Sequence, residues 1–305
     1  MRLTRREFLT TQAAAAGALA LAPGITLGAV PEDLVRKAIP ASGEMITTVG
    51  IGTNRYGVTA EVDKAPLRET LKEFVRLGGQ VIDTAPSYGR GVSESVIGEL
   101  TAELGIRDQL FFATKVDGRV EGPRQTATSL EKLKTDHAEL IQVHNLRALD
   151  TLLPVLQGAK DEGLIRYVGV TTSRHEQFED LENVLRSQPL DFVQLNFSLD
   201  DRLAAERLLP LAQDRGVAVL VNLPFGRGRL FEKTAEQALP DWAAEFDCQS
   251  WGQFFLKYLI GHPAVTCVIP GTRKVKHVQD NLAAARGRLP DEALRRRQQT
   301  FIDGL

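Results

Sequence analysis

The amino-acid sequence predicts an α/β fold, a closed (β/α)8 TIM barrel, over the chain from Thr48 onward. A short apolar and β-branched run recurs eight times, and each run ends in a polar residue before a loop and a segment of helical period. Strands that are apolar almost throughout indicate a parallel sheet with both faces buried. Eight such units in roughly 250 residues have the size of a single closed barrel.

The first of the eight predicted strands also argues against the competing doubly wound sheet. That fold is expected to carry G-x-G-x-x-G after its first strand. Here Gly50 and Gly52 are present, but the third glycine is missing. The eight runs are V-G-I-G-T from Val49, Q-V-I-D-T from Gln80, L-F-F-A-T-K-V from Leu110, E-L-I-Q-V-H-N from Glu139, I-R-Y-V-G-V-T-T from Ile165, D-F-V-Q-L-N-F from Asp191, V-A-V-L-V-N-L-P from Val217 and V-T-C-V-I-P-G from Val265.

The segments between these strands have an apolar residue at every third or fourth position. Leu67, Leu71 and Phe74 show this spacing after the first strand. It is the pattern of a helix that packs one face on a core. Several segments end at glycine, which tolerates the left-handed conformation of a helix C-cap. These endings are Gly78, Gly163, Gly216 and Gly287.

Composition and charge exclude several classes of protein. The chain has 305 residues, of which 43% are hydrophobic and 25% charged, and such values exclude a disordered, collagen-like or multispanning membrane protein. The net charge of -2 offers no basic surface, so we expect no nucleic-acid partner. The two cysteines, Cys248 and Cys267, lack C-x-x-C spacing. This excludes a disulfide scaffold and a cysteine-rich zinc site, and we expect no metal.

Residues 1–30 differ from the rest and predict a twin-arginine signal peptide with its linker. Thr4 to Leu9 have the sequence T-R-R-E-F-L, and ten mostly alanine residues follow from Ala13 to Ala22. This order resembles the twin-arginine export signal, and the Ala-x-Ala spacings suit cleavage. The resemblance implies the twin-arginine export machinery as a partner and a periplasmic location. It leaves 31–305 as one barrel domain with no transmembrane span; an amphipathic helix of a cytosolic protein is the alternative.

Polar side chains occupy one predicted strand end after another. In such barrels the chemistry lies at the carboxyl ends of the strands, so we expect these side chains to converge. Asp83, Lys115 and His144 end three successive strands, and Tyr88 lies five residues past Asp83. Buried charges must be paired or used in chemistry. A structural ion-pair network beneath an aromatic lid is the alternative, but four proton-handling groups at one end favour an active site.

The motifs at these positions resemble those of the aldo-keto reductases. I-D-T-A-P-S-Y-G, F-F-A-T-K-V, E-L-I-Q-V-H-N, R-Y-V-G-V-T-T, D-F-V-Q-L-N-F and V-I-P-G-T occur in the order of that family, over nearly the whole chain after the signal. The resemblance implies reduction of an aldehyde or ketone, the small-molecule carbonyl substrate, by hydride transfer from NADPH.

The resemblance also implies a role for each of the four strand-end residues. Tyr88 is the general acid, Lys115 and Asp83 tune it, and His144 orients the carbonyl. The chemistry suits these side chains, because a phenol is a weak acid at neutral pH and an adjacent ammonium lowers its pKa. A cofactor-binding redox sensor or interaction protein on the same barrel is an alternative function. A Schiff-base aldolase with Lys115 as nucleophile is another.

The cofactor site implied by the resemblance includes departures from the family pattern. Thr172 stands where the family usually has Asn, and Asn222 stands where an aromatic residue often stacks on the nicotinamide. His277 replaces a frequent arginine. Arg273 and Lys274 add charge that favours the 2′-phosphate of NADPH. The expected cofactor contacts are Thr53, Asn54, Thr171, Thr172, Gln194, Asn222, Pro224, Phe225, Gly226, Gly271, Thr272, Arg273, Lys274, His277, Asp280 and Asn281.

The stretch between the seventh strand and its helix, from Phe225 to Gln249, is long for a loop of this fold. We expect it to fold over the open end of the barrel as a substrate loop. Phe231, Trp242 and Trp251 would then line an apolar pocket, or they would only pack the loop down. The residues do not distinguish these two arrangements.

Overall fold

The computed structural model describes residues 33–305, in which eight parallel strands form a barrel behind a short N-terminal hairpin. The predicted export signal lies outside the described residues. The hairpin is β1 (Arg36–Ala38) and β2 (Met45–Thr47), and the barrel strands are β3 (Ile51–Gly52), β4 (Val81–Asp83), β5 (Phe111–Val116), β6 (Ala138–His144), β7 (Ile165–Thr171), β8 (Phe192–Asn196), β9 (Ala218–Asn222) and β10 (Val265–Val268).

Helices follow the barrel strands in turn, as the apolar spacing predicts. The strand β9 is followed by a short helix and then a longer one. The helices are α1 (Glu61–Arg76), α2 (Val92–Leu104), α3 (Gly122–Leu133), α4 (Leu149–Asp161), α5 (Phe178–Ser187), α6 (Leu208–Asp214), α7 (Arg229–Lys233), α8 (Trp251–Ile260), α9 (Val275–Ala283) and α10 (Glu292–Asp303).

The first and last barrel strands meet and close the sheet. The strands pair in chain order from β3 to β10. Parallel bridges join Val49 to Val268 and Gly52 to Gly271. The N–H of Gly50 donates to the carbonyl of Val268 at 2.8 Å, and the N–H of Val268 donates to the carbonyl of Thr48 at 2.9 Å. The predicted (β/α)8 barrel is confirmed.

Side chains alternate along each strand between the barrel interior and the layer beneath the helices. Val81 and Phe111 belong to an apolar cluster inside the barrel, whereas Ile82 and Phe112 belong to the cluster under the helices. Towards the carboxyl ends of the strands, most of the inward-facing residues are polar. The polar inward residues are Asp83, Lys115, Gln142, His144, Thr171, Gln194, Asn196 and Asn222. They form a polar layer at the carboxyl end, which we call the mouth.

The β1–β2 hairpin covers the opposite end of the barrel. Its Ile39 and Ile46 are buried in the same cluster as the interior residues. The Lys37 Nζ donates to the carbonyls of Ile260, His262 and Val265 at 2.7, 2.8 and 2.6 Å. The hairpin therefore covers the apolar interior at the end of the barrel opposite the mouth.

Among residues 33–305, no helix combines the length and the apolar composition that a bilayer-spanning segment requires.

Candidate active site

Asp83 and Lys115 form a buried ion pair at the mouth. Asp83 ends β4, and Lys115 lies on the neighbouring strand β5. The Lys115 Nζ donates to Asp83 Oδ1 at 2.7 Å and to the carbonyl oxygen of Thr84 at 2.6 Å. Their side chains are only 1% and 3% exposed. This pairing meets the requirement that buried charges be compensated.

Tyr88 lies over this ion pair on the turn that follows β4. The turn spans Tyr88–Gly91. The Lys115 Nζ lies 5.3 Å from the centroid of the Tyr88 ring. The ring of His144, at the end of β6, meets the Tyr88 ring edge to face with centroids 6.4 Å apart. The structure thus brings together all four residues that the sequence placed at successive strand ends.

Burial raises the pKa of the Tyr88 phenol, and the charge of Lys115 only opposes that rise. The sequence led us to expect that the ammonium would lower this pKa. Its effect has that sign, but the cost of desolvating the Tyr88 phenolate is larger. Tyr88 is therefore protonated at neutral pH, as a proton donor must be.

Lys115 is held in its charged form. Burial lowers its pKa, but the charge of Asp83, the charge that Tyr88 carries once ionised and the hydrogen bond to Asp83 more than offset burial, and the pKa of Lys115 rises overall. Burial raises the pKa of the Asp83 carboxyl, and Lys115 opposes this. A nucleophilic lysine needs a lowered pKa. The hydrogen bonds that hold the Lys115 ammonium to Asp83 and Thr84 therefore argue against Lys115 as the nucleophile of a Schiff-base aldolase.

His144 carries a neutral imidazole. Burial, and then the charge of Lys115, lower its pKa to about 4. Its Nδ1 is buried without a hydrogen-bond partner among residues 33–305. A neutral ring offers one N–H donor and one acceptor nitrogen. His144 can therefore donate a hydrogen bond to an oxygen at the mouth without carrying charge.

Beyond the four residues, amide and hydroxyl side chains line the mouth on β6 to β9. Gln142 Nε2 donates to Gln194 Oε1 at 2.7 Å. Asn196 Nδ2 donates to the carbonyl of Ser173 at 3.0 Å, and Asn222 Nδ2 to that of Thr172 at 3.4 Å. The Oδ1 atoms of Asn196 and Asn222 are buried without partners among the described residues.

Gln142 was absent from the sequence-based set of site residues, and Asn196, which the sequence places at the end of its strand, was not among the expected cofactor contacts. Each lies two positions from a residue in that set, Gln142 before His144 and Asn196 after Gln194. In a strand, residues two apart face the same side. This alternation was the signal that would have found them.

The two threonines at the end of β7, Thr171 and Thr172, differ in their surroundings. Thr171 ends the strand and is almost fully buried. The Thr172 Oγ1 donates to Gln177 Oε1 at 2.6 Å, and the Thr172 N–H donates to the carbonyl of Gln194 at 3.0 Å. The loop after β7 is thus fixed to β8.

The loop after β10 forms an exposed basic corner. Arg273, Lys274 and His277 are exposed there, and neither Arg273 nor Lys274 forms an ion pair with a carboxylate of residues 33–305. Helix α9 begins one residue after Lys274, and the N–H groups of its first two residues, Val275 and Lys276, lack intrahelical partners. Free cations beside a helix N-terminus form a favourable place for an anion. Burial and the neighbouring lysines lower the pKa of His277, so it adds no charge at neutral pH.

Other predicted cofactor residues have partners within the protein. Asp280 accepts hydrogen bonds from Ser250 Oγ at 2.8 Å and Gln253 Nε2 at 2.8 Å, which attaches α9 to α8. Asn281 is buried on α9. The Thr53 Oγ1 donates to the carbonyl of Asp83 at 2.8 Å, whereas Asn54 is exposed. Gly271 and Thr272 join β10 to the basic corner.

The stretch after β9 packs on helices. Phe225, between Pro224 and Gly226, has its ring 4.9 Å from Phe231 and 6.4 Å from Phe255 on α8. Trp242 packs against Phe254 at 5.5 Å and Phe301 at 6.1 Å. Trp251 begins α8 and stacks on Phe255. Packing the segment down onto α8 and α10 accounts for both tryptophans.

Comparison with known proteins places this site in a family. A sequence model described as the Aldo/keto reductase family matches residues 48–300. The chain belongs to the aldo/keto reductase family. Members of this family are NAD(P)H-dependent oxidoreductases that act on carbonyl groups, and this aldo/keto reductase is an enzyme of that class.

Relatives of this aldo/keto reductase are similar over most of its length. It is 31% identical to aldo-keto reductase YhdN of Bacillus subtilis over 217 residues, which cover 66% of this chain and 65% of that one. It is 28% identical to methylglyoxal reductase YeaE of Escherichia coli, over 81% of this chain and 89% of that one. A crystal structure of an aldo/keto reductase from Klebsiella pneumoniae in complex with NADP and acetate superposes with a TM-score of 0.73 at 25% identity, covering 85% and 93% of the two chains.

Among the described residues of this aldo/keto reductase, no group of three or more His, Cys, Asp and Glu side chains is arranged to hold a metal ion. Both cysteines are buried free thiols.

Proposed function

We propose that this aldo/keto reductase reduces an aldehyde or ketone to an alcohol with NADPH, and that Tyr88 supplies the proton. The observation that carries the proposal is the position of Tyr88 between the neutral His144 and the buried Lys115–Asp83 pair. General acids, their charge partners and a neutral hydrogen-bond donor are the groups that carbonyl reduction requires.

The residues present fit the proposed cofactor. The buried, unpartnered Oδ1 atoms of Asn196 and Asn222 are acceptors for an amide N–H near the bottom of the mouth. The exposed cations Arg273 and Lys274 suit the 2′-phosphate of NADPH. A similar enzyme from Klebsiella pneumoniae was crystallised with NADP. When bound, NADPH supplies the hydride.

The side chains then handle the charge that develops on the substrate oxygen. His144, as a neutral donor, orients the carbonyl towards Tyr88. Tyr88 donates its phenolic proton as the oxygen becomes negative. Lys115 stabilises the resulting phenolate by its charge, and Asp83 keeps Lys115 in place and charged. In alcohol oxidation the same phenolate accepts the proton.

Replacement of Tyr88 tests this proposal. Purified wild-type protein should oxidise NADPH in the presence of methylglyoxal or another simple aldehyde. Tyr88→Phe should lower kcat by about 10²–10⁴-fold and leave the NADPH dissociation constant nearly unchanged, because the phenol acts only where charge develops. Loss of the absorbance of NADPH measures turnover, and quenching of protein fluorescence measures binding. A Tyr88→Phe variant that keeps more than about a tenth of kcat would make Tyr88 a lid residue.

The same assay separates the alternative functions. A redox sensor or interaction protein would bind NADPH without turning over simple aldehydes. An aldolase would be trapped on Lys115 by borohydride in the presence of substrate. The raised pKa of Lys115 supports reduction over this second alternative.

We also propose that the protein is exported through the twin-arginine machinery to the periplasm. Support comes from the T-R-R-E-F-L run and the weakly apolar alanine segment after it. Arg5→Lys combined with Arg6→Lys should leave the folded enzyme active but retain it in the cytoplasm. Cell fractionation followed by the NADPH assay measures this. Normal export of the double variant would refute the proposed route.

A further inference from the structure

The turn that carries Tyr88 is pressed against the loop that follows β3, residues 53–58. An ideal Cβ built on Gly57 would lie 2.4 Å from the Cα of Gly89, the residue after Tyr88. The reverse also holds, because a Cβ on Gly89 would lie 2.4 Å from the Cα of Gly57. Both obstructing atoms are backbone, so no side-chain rotation relieves the collision. The two loops touch backbone to backbone.

The loop 53–58 has little freedom to move aside. The N–H and the Oγ1 of Thr53 both donate to the carbonyl of Asp83, at 3.1 and 2.8 Å. The carbonyl of Thr53 accepts from the Oγ of Ser93 at 2.9 Å. Tyr56 is completely buried in the core. The loop is therefore anchored to β4 and α2, the two elements on either side of Tyr88.

The turn itself has an unusual backbone. Gly89, Arg90 and Gly91 have φ values of 55°, 58° and 89°. For Arg90, which has a Cβ atom, this left-handed conformation is unfavourable. Such a conformation persists only where the surroundings determine it. On the other side of the turn, Lys132 Nζ would lie 2.6 Å from a Cβ on Gly91. The turn thus lies against the loop 53–58, with the flexible end of the Lys132 side chain on its other side.

We propose that Gly57 is a positioning residue for the proton donor. The absence of a side chain at Gly57 lets the loop 53–58 serve as a rigid stop against Gly89, which sets the height of the Tyr88 ring above Lys115. This inference rests on the proposed role of Tyr88. Gly57 approaches the turn at Gly89 and is not one of the four residues at the mouth, so we expect its effect to act through Tyr88.

The variant Gly57→Ala tests the inference, with Gly158→Ala as the matched control. Gly57 is not in the left-handed region, so alanine is not strained there by φ. A Cβ on Gly158, in α4, meets no atom within 4 Å. Gly57→Ala should lower kcat by about 10- to 100-fold, the loss expected for a displacement of about 1 Å. The NADPH dissociation constant should be unchanged, and Gly158→Ala should behave as wild type.

A double variant shows whether the effect passes through Tyr88. If it does, Gly57→Ala should cause no further loss of kcat in the Tyr88→Phe background, since coupled residues are not additive. An equal loss in both backgrounds would overturn the inference. So would a Gly57→Ala variant with the wild-type kcat.

A spectroscopic measurement separates this inference from the proposed function. Carbon-13 tyrosine NMR of the protein, with the Tyr88 signal assigned by its absence in Tyr88→Phe, reports the ring position without turnover. Gly57→Ala should shift that signal and Gly158→Ala should not. An unshifted Tyr88 signal refutes positioning, whereas a shifted signal in a protein that reduces no aldehyde refutes only the proposed function. Circular dichroism checks that Gly57→Ala and Gly158→Ala are folded.

Discussion

Replacing Lys115 by methionine should destabilise the protein and also lower its rate of turnover. Both members of the Lys115–Asp83 pair are almost fully buried, with Nζ 2.7 Å from Oδ1. Removing one partner of a buried ion pair costs about 3–5 kcal/mol, because the other charge is left without compensation. Lys115→Met removes the ammonium, keeps a similar side-chain volume and leaves the Asp83 carboxylate and the carbonyl of Thr84 without their donor.

The pH dependence of the loss identifies its cause. Without Lys115, the pKa of Asp83 in the folded variant lies further above its value in the unfolded chain. A group whose folded-state pKa is raised contributes stability at low pH and loses it as pH rises through that pKa. The unfolding free energy of Lys115→Met, relative to wild type, should therefore fall as the pH increases from acidic to neutral. Urea unfolding followed by circular dichroism measures it.

The double variant Asp83→Asn with Lys115→Met is the control. It removes both charges, so it should recover most of the stability that Lys115→Met loses. Enzyme assays of alcohol oxidation add a second readout. The base form of Tyr88 should appear at higher pH in Lys115→Met, because the ammonium that opposed the rise of its pKa is gone. A stability loss below about 1 kcal/mol at neutral pH, the size typical of an exposed pair, would refute the reasoning.

Two further predictions concern the basic corner and a half-buried histidine. Arg273→Ala with Lys274→Ala should reduce the preference for NADPH over NADH by about tenfold or more, because each charge-assisted bond to the 2′-phosphate contributes about 1.5–3 kcal/mol. An unchanged ratio of the NADPH and NADH dissociation constants would exclude this corner as the site of the 2′-phosphate. Burial lowers the pKa of His262 to about 4, and its Nδ1 accepts the N–H of Ala264 at 3.2 Å. The unfolded chain binds the proton more readily, so stability should fall as pH drops from about 6.5 towards 4. In His262→Gln, the unfolding free energy measured with urea should decrease less over this pH range. An unchanged dependence of the unfolding free energy on pH would show that His262 does not cause the decrease.

The sequence was sufficient to predict the barrel, because the patterns that indicate a barrel are local in the sequence. Alternation along each strand, helical spacing and terminal glycines depend on residues a few positions apart, and eight repeats of one unit leave few topologies. The same alternation placed Asp83, Lys115 and His144 at strand ends, so their convergence could be foreseen. The N-terminal hairpin was missed, since three-residue strands such as Met45–Thr47 are too short to show a period.

The residue roles drawn from the family pattern stay predictions, but the structure decides which contacts surround them. Whether Lys115 or burial governs the pKa of Tyr88 depends on how deeply the ring lies, and no spacing in the sequence reports depth. Asp280 was predicted from its position beside the basic corner, yet its carboxylate faces Ser250 thirty residues away.

What the sequence by itself determined is therefore the repeating unit and the order of polar strand ends. Only the tertiary structure decided which loops meet over the mouth. Gly57 and Gly89 are separated by thirty-two positions and lie in different loops, and each is an ordinary loop glycine in the sequence. Their contact arises because strand pairing places β3 beside β4 and so brings the two following loops together. Contacts between loops that are distant in the sequence depend on how the strands pair in three dimensions, and local sequence patterns carry no information about them.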